Sequence, residues 1–181
     1  MNALERLNVT ALRTLASLRN VEEDEGRLVD EKDTCVNFCA WELLFAYASH
    51  LKASFNHPKA NHAIAIKTNP HPKVLKALVD WGFGLEAASY EELLLAKNAG
   101  IESHKLVFDS PVKTTREINL VNNQFPGITL NVNCLKELER LPPSKDCNMC
   151  IGIRLNPVVD SGADAIYNVS NDESKFGVPI R

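Results

Sequence analysis

The fold class follows from residues 62–81, HAIAIKTNPHPKVLKALVDW. This stretch begins with a short apolar run, His62–Lys67, whose β-branched residues predict a strand. After a turn it continues into a helical pattern of apolar residues over Pro72–Trp81. Proline suits the first turn of a helix, because the N–H that it lacks would be unpaired there anyway. A strand followed by a helix is the repeating unit of an α/β protein with a parallel sheet.

The same alternation continues on both sides of this stretch. Further strand–helix pairs are predicted at Cys35–Ala40 with Trp41–Phe55, Gly84–Ala87 with Tyr90–Asn98, Lys105–Phe108 with Thr115–Asn123, and Ile128–Val132 with Cys134–Leu141, before a last strand over Met149–Leu155. Ser89 with Glu92, and Thr114 with Glu117, form the capping-box pattern of a helix start. The short repeat favours an α/β fold that is a barrel of (β/α) units. A doubly wound sheet is the alternative, although no GxGxxG opens any of these helices.

Upstream of the repeats the chain has a different character. Leu4, Leu7, Ala11, Leu15 and Leu18 recur at helical spacing, so an amphipathic helix is predicted over 3–19. The acidic stretch that follows, 22–33, reads as a solvated connector. We therefore predict two parts: 1–33, an N-terminal helix and acidic connector, and 34–181, the repeating (β/α) domain.

The composition of the chain argues against nucleic acid and membranes as partners. Of the 181 residues 45% are hydrophobic and 24% charged, which is typical of a globular domain, and the formal net charge is −3. With no basic stripe, nucleic acid is not expected as a partner. No apolar run approaches the length of a membrane span, and the N-terminus lacks the apolar core of a secretory signal, so no membrane partner and a cytoplasmic location are expected.

The five cysteines fit a reducing compartment. Their number is odd, so Cys35, Cys39, Cys134, Cys147 and Cys150 cannot all pair within one chain. Cys147 and Cys150 have the CxxC spacing of a metal or redox site, but zinc needs two more ligands and no second such pair exists. The preferred interpretation is that Cys150 enters an apolar strand as a small hydrophobic residue, and no metal is predicted.

Candidate catalytic residues lie where the predicted strands end. Active sites of parallel barrels are built at the carboxyl ends of their strands, and the residues found there are Lys67, Glu86, Phe108, Asn131 and Arg154. Lys67 is the most informative, because a lysine with an apolar strand before it can lose charge by desolvation and attack a carbonyl as a neutral amine. The alternative is a lysine whose stem packs on the strand end while its ammonium stays in water.

At this point the sequence resembles a known family. Ala65-Ile66-Lys67-Thr68-Asn69-Pro70 is similar to the cofactor-lysine segment of the fold-type III pyridoxal-phosphate decarboxylases, the ornithine, diaminopimelate and arginine decarboxylases of group 2. The resemblance continues in order along the chain through Gly82–Ser89, Lys105–Lys113, Asn131–Leu138, Ile153–Pro157 and Ser174–Gly177. It implies the N-terminal portion of an alanine-racemase-like barrel, that is, a partial (β/α)8 TIM-type barrel truncated after about six strands.

The resemblance also implies roles for individual residues. Lys67 would be the catalytic lysine that holds pyridoxal 5'-phosphate as a Schiff base, and Asn69 would shape the turn beside it. Glu86 stands where relatives usually carry an aspartate close to the cofactor, and Arg154 would lie near the cofactor too. Lys175 belongs to a motif linked to the dimer interface in relatives, which implies a homodimer for a full-length form.

Two other residues near these positions have simpler interpretations. Ser89 is predicted to be a helix cap rather than a cofactor contact. His71 follows Pro70 beside the lysine and is predicted to be a solvent-facing loop residue rather than a proton relay.

The sequence also departs from the family pattern. The stretch 164–170 lacks the His-x-x-x-Thr-Gly pattern of diaminopimelate decarboxylases. Relatives are much longer, and their remaining part carries a histidine that stacks on the cofactor, a glycine-rich phosphate cradle and a second β-domain. The chain is therefore expected to be a fragment, a truncated product or a degenerate relative, and to be inactive alone.

The sequence thus predicts a pyridoxal-phosphate-dependent decarboxylase of a basic or diamino amino acid, with the diaminopimelate-like branch favoured over the ornithine branch. The main alternative is a non-catalytic homologue that binds or regulates an active decarboxylase. Racemase-like proton transfer and a metal or redox module at Cys147 and Cys150 are weaker alternatives.

Overall fold

The computed structural model of the protein describes residues 9, 11–13, 39–159, 162, 169–171 and 173–180. The chain divides into two compact units, Met1–Ala60 and Asn61–Arg181. The predicted boundary near residue 34 and the acidic connector lie outside the described residues. So does most of the helix predicted over 3–19, of which Val9 and Ala11–Arg13 are described and helical.

In the first unit the described structure is mainly one helix, α1 (Trp41–Ser54), which confirms the helix predicted over Trp41–Phe55. The strand predicted over Cys35–Ala40 lies outside the described residues except for Cys39 and Ala40, and these two are not in a strand. The carbonyl of Ala40 already accepts a hydrogen bond from the Leu44 N–H at 2.9 Å, so the chain has entered the helix at this point.

The second unit consists of strands that alternate with helices. The strands of its main sheet are β1 (Ala63–Ala65), β2 (Gly84–Ala87), β3 (Leu106–Phe108), β4 (Thr129–Val132) and β5 (Cys150–Ile153). The helices between them are α2 (Pro72–Asp80), α3 (Tyr90–Asn98), α4 (Thr115–Gln124) and α5 (Leu135–Leu138). A separate parallel pair is formed by β6 (Leu155–Asn156) and β7 (Val178–Pro179).

The order of the strands distinguishes a barrel from a doubly wound sheet. The five strands follow one another as β1-β2-β3-β4-β5, and every neighbouring pair is parallel. Because parallel crossovers are right-handed, steps that all run in one direction place all the connecting helices on one face of the sheet. A doubly wound sheet reverses direction at a switch point and covers both faces. The sheet is therefore the singly wound α/β arrangement of a partial TIM-type barrel, as the sequence predicts.

The two faces of the sheet differ as a barrel requires. The face toward the helices carries the core, with Leu85, Ala87, Leu106, Phe108, Leu130 and Val132 all buried. The other face bears the alternate residues, and strand register places Ala65, Glu86 and Val107 in one row across it. In a closed barrel this second face lines the interior, so polar groups on it near the carboxyl ends of the strands belong to the candidate site.

Three predicted elements have different bounds in the structure. β1 ends at Ala65, and Ile66–Thr68 form a turn of 3-10 helix. α5 covers only part of the helix predicted over Cys134–Leu141, because the chain after Leu138 continues in tighter turns, with the Arg140 N–H donating to the Glu137 carbonyl and the Leu141 N–H to the Leu138 carbonyl. The last predicted strand, Met149–Leu155, is divided between β5 and β6. No helix within the described ranges is long and apolar enough to cross a membrane.

Candidate active site

Lys67 lies in the 3-10 turn that follows β1, with its side chain exposed. Two hydrogen bonds shape the turn: the Thr68 hydroxyl donates to the Ala65 carbonyl at 2.7 Å, and the Asn69 N–H donates to the Ile66 carbonyl at 3.1 Å. The Asn69 side-chain oxygen accepts from the His71 N–H at 3.2 Å, in the segment that joins this turn to α2. The lysine is thus presented at the carboxyl end of its strand by a locally stabilised loop.

Glu86 lies on β2 beside the end of β1, with Ala65 and Val107 as its neighbours across the sheet. It is half-buried on the face that the helices leave uncovered. Burial raises the pKa of the Glu86 carboxyl above its ordinary value, and the nearby carboxylates of Asp109 and Glu92 add to this effect. The charges of Lys67 and Arg154 oppose it and lower the pKa of the same group. Five charged side chains, four on or just after strands and Glu92 in the first turn of α3, therefore share one electrostatic environment.

The raised pKa of Glu86 predicts how the stability of the folded chain depends on pH. The folded protein binds the Glu86 proton more tightly than the unfolded chain, so this contribution to stability is present below the unfolded pKa and is lost as the pH rises through the folded value. Glu86→Gln cannot ionise, so the variant does not lose this stability as the pH rises. We expect thermal unfolding midpoints at pH 4 and pH 8 to show the variant gaining stability relative to the unmodified chain as the pH rises. Exposed Glu139→Gln is the control, and stability–pH curves of Glu86→Gln that run parallel to those of the unmodified chain would refute the assignment.

Arg154 follows β5 directly and forms an ion pair with Asp109, with Arg154 Nη1 3.1 Å from Asp109 Oδ2. Asp109 follows β3, and its N–H donates to the Ala87 carbonyl at 2.9 Å, which extends the pairing of β2 with β3. Asp109 is not among the predicted site residues, because the last residue of the strand, Phe108, was chosen instead of the residue that follows it. Phe108 is fully buried on the helix side and does not face the site. The signal for Asp109 was its position as the first polar residue after an apolar strand.

The other residues considered in the sequence analysis lie on β4 and at the starts of α2 and α3. Asn131 lies on the inner face of β4, where its side chain packs closely over Gly152. Ser89 caps α3 by accepting a hydrogen bond from the Glu92 N–H at 3.3 Å, which confirms the predicted cap. The Glu92 carboxylate binds the Ala88 N–H instead of closing the box onto Ser89. His71 is exposed and caps α2 through its Nδ1.

Two other features lie apart from this cluster. Cys147 and Cys150 are free thiols, and Cys147 Sγ contacts the Met149 carbonyl at 3.7 Å. Among the described residues no group of three His, Cys, Asp or Glu side chains is placed to hold a metal ion. A cavity of about 500 Å³ between α2 and α3 is lined by helix residues such as Leu75 and Leu95 and includes none of the predicted site residues.

Comparison with known proteins identifies the class that this fold and cluster represent. The family described as "Pyridoxal-dependent decarboxylase, pyridoxal binding domain" matches residues 46–181. The chain belongs to this family. The predicted family and the pyridoxal phosphate dependence that it carries are thus confirmed.

Individual relatives show which decarboxylases the chain is similar to. The chain is 32% identical over 148 residues to the diaminopimelate decarboxylase of Aquifex aeolicus, covering 76% of this chain and 35% of that protein. It is 28% identical over 127 residues to the L-glutamyl-[BtrI acyl-carrier protein] decarboxylase of Niallia circulans, covering 69% of this chain and 29% of that protein. A crystal structure of the Helicobacter pylori diaminopimelate decarboxylase complexed with L-lysine matches with a TM-score of 0.64 and 26% identity, over 74% of this chain and 35% of that one. The chain therefore spans about a third of the length of these relatives.

Proposed function

We propose that the chain is the N-terminal part of a pyridoxal-phosphate-dependent decarboxylase of a basic or diamino amino acid, with diaminopimelate the favoured substrate. The observation that carries this proposal is the position of Lys67, an exposed amine at the carboxyl end of β1, beside Glu86 on the next strand. A primary amine among carboxylate and guanidinium groups has the chemistry that an aldehyde cofactor requires. The similarity to diaminopimelate decarboxylases supports the choice of substrate.

The residues of this chain have separate tasks in the proposed site. Lys67 would hold the cofactor, and Asn69 would keep the turn that presents the lysine. Glu86 and Arg154 supply an acid and a fixed positive charge beside it. The chemistry that pyridoxal phosphate would supply at this site is an electron sink for decarboxylation. A cytoplasmic location and a homodimer in a full-length form are part of the same proposal.

A chimera tests the function directly. Residues 61–181 would replace the matching segment of the Helicobacter pylori diaminopimelate decarboxylase, which supplies the rest of the barrel and the second domain. We expect the chimera to bind pyridoxal phosphate and release carbon dioxide from diaminopimelate. The assay includes lysine, ornithine and arginine as competing substrates. A chimera that folds, shown by circular dichroism, but neither binds the cofactor nor decarboxylates would favour a non-catalytic homologue.

The 181-residue chain alone should bind pyridoxal phosphate poorly and release no carbon dioxide. Much of the binding energy of this cofactor comes from its phosphate, which needs backbone N–H groups in a glycine-rich loop or at a helix N-terminus. Gly82 and Gly84 are the nearest candidates, and Gly84 begins β2, at the opposite end of the strand from the candidate site. Titration of the chain followed by absorbance checks this expectation, with the chimera as the positive control. Micromolar binding with turnover by the chain alone would contradict it.

A further inference from the structure

The guanidinium of Arg154 is held from two sides. Asp109 Oδ2 lies 3.1 Å from Arg154 Nη1, and the centre of the Phe176 ring lies 4.5 Å from Arg154 Cζ. An arginine is planar, so a carboxylate at its edge and an aromatic ring on its face restrain it in complementary directions. The other oxygen of Asp109, Oδ1, is buried and has no hydrogen-bond partner among the described residues. This carboxylate therefore depends on Arg154 for compensation of its charge.

Phe176 is itself fixed by hydrogen bonds on both sides of it in the chain. The Asn133 side chain donates from Nδ2 to the Lys175 carbonyl at 2.7 Å, and its Oδ1 accepts from the Gly177 N–H at 2.9 Å. Gly177 has φ +81°, and a Cβ at this position would lie 2.9 Å from the backbone of Leu155. Only glycine fits this approach without strain, so the ring is presented to Arg154 by a tightly defined loop.

Glu86 feels the positive charge of Arg154, which lowers its pKa, but forms no ion pair with it. The ion pairs of the described residues include Arg154 with Asp109 and none with Glu86. The groups that influence Glu86 are Lys67, Glu92, Asp109 and Arg154, and Asp109 acts on it as a second negative charge. Arg154 therefore acts on both carboxylates but pairs with one, and its restraint beside Asp109 sets how strongly its charge acts on Glu86.

We propose that Asp109 and Phe176 are positioning residues, which hold Arg154 paired with Asp109 at the strand ends and keep it from forming an ion pair with Glu86. This inference extends the proposed function, since it explains how a charged cluster beside Lys67 keeps one carboxyl available as a proton carrier. The two claims are tested separately, because the charge state of Glu86 is measured in the chain without cofactor. An active chimera with a freely turning Arg154 would end this inference and leave the proposed function intact.

The first experiment measures the titration of Glu86 by NMR in the 181-residue chain with ¹³C-labelled glutamate, with the resonance assigned through Glu86→Gln. Asp109→Asn removes one negative charge and releases the arginine, and both effects should lower the pKa of Glu86 toward the ordinary range. Asp80→Asn is the matched control, because Asp80 is an exposed aspartate that pairs with Lys76 on α2. An unchanged Glu86 titration in folded Asp109→Asn would overturn the proposal.

The second experiment does not depend on the folding of Asp109→Asn. Proton exchange at Arg154 Nε is compared in Phe176→Leu, which keeps the apolar bulk, and in Phe176→Tyr, which keeps the ring. Exchange should be several-fold faster in the leucine variant and unchanged in the tyrosine variant, because only the tyrosine ring can cover the guanidinium face. Equal exchange rates in the two variants would show that the ring does not restrain Arg154.

Discussion

Lys67→Ala should abolish attachment of pyridoxal phosphate and reduce decarboxylation by the chimera by on the order of a thousandfold or more. The expected loss is large because the amine is the only group of this chain that the proposal uses to bond with the cofactor. The Lys67 side chain is exposed, so its truncation leaves no cavity and the variant should fold. Absorbance of the bound cofactor and carbon dioxide release are the measurements.

Controls separate the amine from its charge and from lysines nearby. Lys67→Arg keeps a positive charge but no nucleophilic amine, and it should be as inactive as alanine. Lys73→Ala changes an exposed lysine at the start of α2 and should retain activity. Borohydride reduction of the loaded chimera, followed by peptide mapping, should place the label on Lys67. A label on another lysine would disprove the assignment.

Local signals in the sequence predict most of the secondary structure correctly. β2 and α3 have the predicted bounds, Gly84–Ala87 and Tyr90–Asn98. The signals there act over a few residues: Ser89 caps the helix through its own side chain, and Gly100 with φ +82° lies just beyond its end. The box at Thr114 and Glu117 is likewise formed as predicted. Repetition of such signals was sufficient to predict the α/β class.

Contacts between distant residues could not be predicted in this way. Asp109 and Arg154 form their ion pair across the sheet, and Asn133 binds the backbone around Phe176, some forty positions further along the chain. Neither contact leaves a local pattern. Lys67, Glu86 and Arg154 could be predicted as site residues only because the carboxyl ends of the strands meet in a parallel barrel. That rule does not predict which carboxylate forms the ion pair with the arginine. The roles of Lys67, Asn69, Glu86 and Arg154 toward the cofactor remain predictions.

The buried pair of Lys113 and Glu137 is another contact between distant residues that the sequence does not predict, and its loss should have a large energetic effect. Lys113 is fully buried, and its ammonium lies 3.0 Å from Glu137 Oε2 and donates to the Ser110 carbonyl at 2.7 Å. Glu137 also accepts from the backbone N–H groups of Lys113 at 3.1 Å and of Asn133 at 2.8 Å. One carboxylate therefore joins the loop after β3 to the loop after β4, directly beside the asparagine that orders Phe176.

Glu137→Ala should destabilise the chain by about 3–5 kcal/mol, because it leaves a buried ammonium without its counter-charge and two backbone N–H groups without an acceptor. Lys113→Met should cost less, since the carboxylate that stays behind keeps both backbone donors and the methionine fills the space of the lysine stem. Urea denaturation followed by circular dichroism measures both free energies of unfolding. Glu139→Ala, two residues along and exposed, is the control and should change little. Equal midpoints for Glu137→Ala and Glu139→Ala would mean that the buried pair does not stabilise these loops. We expect Glu137→Ala to lose the most stability of the three variants, because the Glu137 carboxylate binds three donors at once.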